Sequence, residues 1–140
     1  MFIRFLSILS LFALLGSGCI SSSAAEEMKP SVAIDLRSYQ EYSEQALSIV
    51  RSQGKPYMLF FYADWCKNCH DQEPIYQHLL SSSNKISGLR VNFDARRDLV
   101  QTHRVFLQNT AIFFDAQGNE VKRLIGPQTE QAVQEALSMM

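Results

Sequence analysis

Cysteine is scarce in this chain: three residues, Cys19, Cys66 and Cys69, among 140. Structural zinc asks for four ligands, and there is no second C-x-x-C to complete such a set. An excess of either charge is lacking as well. Thirteen Lys and Arg stand against 14 Asp and Glu, a net charge of −1, so no basic surface argues for nucleic acid. The Arg96-Arg97 pair reads as a solvated face. No internal repeat appears. The apolar run Phe5 to Leu15, "FLSILSLFALL", is too short to span a bilayer as a mature helix.

That run follows Arg4 and precedes Gly16, Ser17 and Gly18, the pattern of an export signal. Residues 1–19 are expected to be a signal peptide with a lipobox: "LGSGC" is similar to the bacterial motif in which the cysteine, here Cys19, is acylated and attaches the mature chain to a membrane. Gly16 departs from that motif, standing where Leu is usual. The competing cut follows Ser23-Ala24-Ala25, an A-x-A-like site that would discard Cys19. Ile20, not Asp, follows the cysteine, which by the same resemblance favours the outer membrane and a periplasmic location. Residues 20–30, "ISSSAAEEMKP", read as a flexible tether. Either cut leaves Cys66 and Cys69 as an even pair.

Residues 31–140 carry the folded domain. Val32, Ile34 and Leu36 alternate with polar neighbours as in a strand. Ser38 and Glu41 have capping-box spacing, and Tyr42, Ala46, Ile49 and Val50 recur at helical spacing until Gly54 and Pro56. "YMLFFY", Tyr57 to Tyr62, is apolar on both parities, as a strand covered on both faces would be. A helical stretch interrupted by Pro74 follows. Leu89, Val91 and Phe93 alternate as a strand, "RDLVQTHRV" reads as a helix, and "TAIFFD" as a strand. "AQGN" then turns into Glu120 to Ile125 as a hairpin. Val133, Ala136, Leu137 and Met140 place an apolar stripe on a last helix. The order β-α-β-α-β-α-β-β-α predicts an α/β fold with a central mixed sheet flanked by helices, parallel except for the closing hairpin. Reactive groups in such sheets sit just past the carboxyl end of a central strand, where Cys66 falls.

The segment "FYADWCKNCHDQEP" satisfies two patterns. C-x-x-C after a buried strand is a redox dithiol; C-x-x-C-H is an attachment site for c-type haem. At a helix start, Cys66 would meet unpaired backbone N–H groups and the positive end of the dipole, which lower a thiol pKa. Cys69 lies one turn later on the same face, within bonding reach, so Cys66 would attack a disulfide and Cys69 would resolve the mixed disulfide. Haem attachment would take His70 as the proximal ligand and needs a distal one. Met58 lies inside the buried strand, and His78 and His103 read as helix-surface residues. Both thiols with His70 also form a soft donor set for Cu(I) or Zn(II).

These residues resemble the thioredoxin-fold family, and within it the C-terminal periplasmic domain of the DsbD-type thiol:disulfide interchange proteins. The resemblance runs from Val32 to the C-terminus. It rests on "FYADWC..C" with Trp65 before the first cysteine, on Pro74 five residues after Cys69, and on "FFDAQGNEV" before the closing strand. It implies a thioredoxin-like fold and a monomeric thiol:disulfide oxidoreductase that needs neither cofactor nor metal. Cys66 and Cys69 would be its redox disulfide, and protein thiols and disulfides its substrates. Glu73 matches a Glu of that domain one turn beyond Cys69, where it would exchange a proton with the resolving thiol; its ordinary reading is an exposed helix carboxylate. Phe60 stands where relatives carry a buried acid beneath the cysteines. Asn109, in "LQNTAIFFD", stands where the family has a cis proline facing the dithiol, and Thr110 keeps the family residue. A cis bond before a residue other than proline costs about 2.5–4 kcal/mol. The bond before Asn109 is therefore expected to be trans, with substrate docking altered and the dithiol more open to metal.

Overall fold

The computed structural model describes residues 38–140. The signal segment, Cys19, the tether and the strand expected at Val32, Ile34 and Leu36 lie outside the described residues.

The elements run β1 (Tyr39–Glu41), α1 (Glu44–Ser52), β2 (Tyr57–Tyr62), α2 (Lys67–Ser83), β3 (Ser87–Asn92), α3 (Arg97–Thr102), β4 (Thr110–Phe114), β5 (Glu120–Ile125) and α4 (Glu130–Leu137). The five strands lie in the order β1-β3-β2-β4-β5, so the apolar run Tyr57–Tyr62 is the central strand. Every residue of β2 is buried, as its two-sided apolar pattern requires. On one face Met58, Phe60 and Tyr62 pack with Tyr76, Leu79 and Leu80 of α2 and Val133 and Ala136 of α4. On the other, Tyr57, Leu59 and Phe61 pack with Ala46, Leu47 and Val50 of α1 and Val100 of α3.

The structure corrects three local expectations. Ser38 and Glu41 do not cap α1; residues 39–41 are strand, and Ser43 is the N-cap, its Oγ accepting the Ala46 N–H at 3.0 Å. Backbone pairing of β1 with β3 outcompetes a cap spacing that any Ser-x-x-Glu satisfies. The helix after the cysteines is not interrupted, since α2 runs continuously through Pro74.

The third correction concerns strand direction. β1–β3 and β3–β2 are parallel, but β2–β4 is antiparallel, as is β4–β5. The antiparallel part is thus wider than the closing hairpin. The chain re-enters the sheet at the end where it left, since Thr110 pairs with Phe61 near the carboxyl end of β2. This places the start of β4 beside the start of α2.

Candidate active site

Four residues separate the end of β2 from the first residue of α2, and the last of them is Cys66, the N-cap of that helix. Its backbone is extended (φ −86°, ψ 97°), and its Sγ accepts the Cys69 N–H at 3.2 Å. A backbone N–H aimed at sulfur, at the positive end of a 17-residue helix, favours the anionic form once the sulfur is free. Cys66 and Cys69 are joined as a disulfide, with Cα atoms 5.3 Å apart. Cys66 is 6 % exposed and Cys69 1 %, so both are buried and Cys66 is the less enclosed.

Polar contacts brace the turn that carries the dithiol. Trp65 is 66 % exposed, and its Nε1–H donates to Asp94 Oδ2 at 2.8 Å. Asn92 Oδ1 accepts the N–H groups of Asp94 and Ala95, and Asn92 Nδ2 donates to Asp64 Oδ2 at 3.3 Å. His70 Nε2 lies 2.8 Å from the Asp64 carbonyl oxygen. The ring is thereby tied to the loop before Cys66.

Glu73 is not an exposed helix carboxylate. It is buried on the face of α2 that carries Cys69, and its Oε1 lies 2.7 Å from Arg90 Nη1. Arg90 is the residue the sequence reading missed. It stands in β3 in register with Phe60 of β2 and Glu41 of β1. Its Nε is 2.8 Å from Glu41 Oε1, and its guanidinium carbon lies 3.9 Å from the centre of the Tyr62 ring. Tyr62 in turn donates its hydroxyl to Glu41 Oε1 at 3.2 Å. Burial works against the Arg90 charge, but Tyr62, Glu41 and Glu73 outweigh it and raise its pKa. Burial, followed by the Glu73 carboxylate, pushes the Tyr39 phenol upward, and burial does the same to Tyr76. The signal for Arg90 was present in the sequence: a charge between Leu89 and Val91, on the face of a sheet covered by a helix, needs a partner.

Phe60 is fully buried beneath this helix, with its ring centre 4.9 Å from that of Tyr76. No acid stands at its position. Instead the carboxylate nearest in the helix sequence to Cys69 on the buried face is Glu73, held from the sheet by Arg90.

The bond before Asn109 is trans, and Asn109 adopts left-handed backbone (φ +56°), a conformation Asn tolerates better than most residues. Its side chain is buried, with Nδ2 donating to the Asn68 carbonyl between the two cysteines at 3.5 Å. Its own carbonyl accepts the Gly126 N–H at 2.8 Å. Thr110 Oγ1 donates to Leu107 O at 2.7 Å, closing the loop before β4. That loop displays Phe106 (86 % exposed) and Leu107 (58 %) beside Ile125 (54 %) of β5. With Arg104, Thr110 and Arg123 they line an open cavity of about 300 Å³.

The fold thus brings Cys66, Cys69, Glu73 and Asn109 together at one end of the sheet, with Trp65 exposed at its rim. Among the described residues, no group of three His, Cys, Asp or Glu side chains is placed to hold a metal ion. The haem reading would require His70 to leave Asp64, and the metal reading would require a third ligand at the sulfurs.

Comparison with known proteins agrees with this arrangement. The family described as Thioredoxin matches residues 38–139. Mitochondrial thioredoxin-2 of Schizosaccharomyces pombe is 33 % identical over 75 residues, 54 % of this chain and 56 % of that protein. The thiol:disulfide interchange protein DsbD of Vibrio cholerae is 34 % identical over 97 residues, 63 % of this chain but 16 % of that protein. This chain therefore spans about half the length of the first relative and under a fifth of the second. Among solved structures, Trxlp from Edwardsiella tarda matches with a TM-score of 0.65 and 32 % identity, over 71 % of this chain and 97 % of that one. With its five-stranded mixed sheet, a Cys-x-x-Cys disulfide at the head of α2 and a family match over nearly all the described residues, the chain belongs to the thioredoxin family.

Proposed function

We propose that this protein is a thiol:disulfide oxidoreductase acting on protein thiols and disulfides. The observation that carries the reading is the asymmetry of the pair. Cys66 caps the helix with an N–H aimed at its sulfur and is the more exposed cysteine, while Cys69 is enclosed. In the reducing direction, the Cys66 thiolate attacks one sulfur of a substrate disulfide, forming a mixed disulfide and expelling the other sulfur as a thiolate. Cys69 then loses its proton to Glu73 and attacks Cys66 Sγ. That step closes the Cys66–Cys69 disulfide and releases the second substrate thiolate, so two electrons pass to the substrate. The same steps reversed oxidise a dithiol, and the partner's potential sets the direction. Phe106, Leu107 and Ile125 offer an apolar surface against which an extended substrate segment would rest, and Trp65 is exposed next to Cys66 in the chain. The protein should accelerate the reduction of insulin by dithiothreitol well beyond the reagent alone. A rate equal to the uncatalysed one would defeat the proposal.

The chain is further read as an exported monomer held at a membrane by acylated Cys19, a reading supported by the sequence "LGSGC" after an apolar run. Acyl chains contribute about 0.8 kcal/mol per buried CH₂, so two or three of them anchor firmly. Metabolic fatty-acid label should mark the wild type and disappear in Cys19→Ala. An unlabelled mature protein beginning near Glu26 would favour the soluble periplasmic alternative.

A further inference from the structure

Asn109 poses an unanswered hydrogen-bonding question. Its Oδ1 is closed to solvent and has no hydrogen-bond donor in the disulfide form, although Nδ2 of the same carboxamide meets Asn68 O at 3.5 Å. A buried acceptor left unpaired is costly. An incoming peptide cannot reach an atom closed to solvent, and inside the protein the unpaired Gln72 Nε2 belongs to a carboxamide whose Oε1 is fixed on the Gln128 N–H. The neighbouring Thr110 hydroxyl is already given to Leu107 O. Beside Asn68 lies Cys69, which is 1 % exposed and joined to Cys66. In the disulfide its sulfur carries no hydrogen. After reduction by a dithiol, which adds two electrons and two protons, it becomes an S–H donor in need of an acceptor. Glu73 Oε1 is ion-paired with Arg90 at 2.7 Å and serves Cys69 only when the mixed disulfide is resolved.

We propose that Asn109 is a positioning residue whose Oδ1 accepts the Cys69 thiol proton in the reduced protein only. The inference rests on the oxidoreductase reading above. The hydrogen bond holds Cys69 as a neutral thiol until a mixed disulfide forms at Cys66, and it stabilises the dithiol relative to the disulfide. The residue that replaces the family proline thereby makes this pair a stronger oxidant.

The test equilibrates full-length protein with glutathione buffers and reads the oxidised fraction on the peptide spanning Cys66 and Cys69. Asn109→Gly removes the acceptor while suiting the positive φ. It should shift the equilibrium about threefold toward the disulfide, the scale of one modest hydrogen bond. Asn109→Asp keeps an acceptor and tolerates the same backbone, and it should not shift the equilibrium toward the disulfide. In the reduced protein, the Cys69 S–H stretching band should rise in frequency in Asn109→Gly. An unmoved band, or an equal shift of both variants toward the disulfide, would overturn the inference. A pair that does not cycle at all would instead overturn the oxidoreductase reading beneath it.

Discussion

Arg90→Met is expected to destabilise the folded protein by about 2–3 kcal/mol, a large share of the 5–15 kcal/mol that holds a typical domain together. Removing one member of a buried ion pair strands the other, at a cost of about 3–5 kcal/mol when burial is complete. Here the Arg90 side chain is 25 % exposed and that of Glu73 10 %, so solvent moderates the loss. Part of the effect is the cation–π contact with Tyr62, worth about 0.5–1 kcal/mol. The stranded carboxylate is the larger part, and that makes a specific forecast. Glu73→Gln added to Arg90→Met should recover about half the lost stability, because a neutral amide under α2 costs less than an unpaired charge. Urea denaturation of the three proteins measures this directly. A double variant no more stable than Arg90→Met would mean that Arg90 acts through packing and not through its charge.

The sequence carried much of this fold because its strongest signals are local. The two-sided apolar run Tyr57–Tyr62 required a covered central strand, and Glu120 to Ile125 after "AQGN" became β5 over the same residues. Three features escaped for three reasons. The direction of β4 depends on which end of the sheet residues 93–109 return to, which no alternation pattern encodes. The cap of α1 moved from Ser38 to Ser43 because sheet pairing, a long-range interaction, claimed residues 39–41. Arg90 and Glu73 are separated by 16 intervening residues in sequence yet meet at 2.7 Å, since β3 lies directly beneath α2. The candidate site divides the same way. Cys66 and Cys69 were legible because their chemistry follows from spacing at a helix start. The partner that holds Glu73 and the left-handed trans geometry of Asn109 belong to tertiary structure.

Loss of either cysteine should end turnover, but the two losses should leave different molecules behind. Cys66→Ser has no thiolate at the helix start, and the remaining Cys69 is enclosed, so no substrate disulfide is opened. Cys69→Ser keeps the nucleophile and removes the group that resolves the intermediate, so the first step proceeds and the second does not. Insulin reduction should fall to the uncatalysed rate in both variants, a larger loss than substitution of Glu73, Arg90 or Asn109 should produce. The two stops are told apart by what stays covalently attached. The decisive measurement is therefore mass spectrometry of each variant after exposure to a disulfide-bonded protein, reading adducts on Cys66 and Cys69. The account predicts a substrate chain attached at Cys66 in Cys69→Ser and no adduct at Cys69 in Cys66→Ser. Equal adducts in both variants, or an adduct at Cys69 alone, would contradict it.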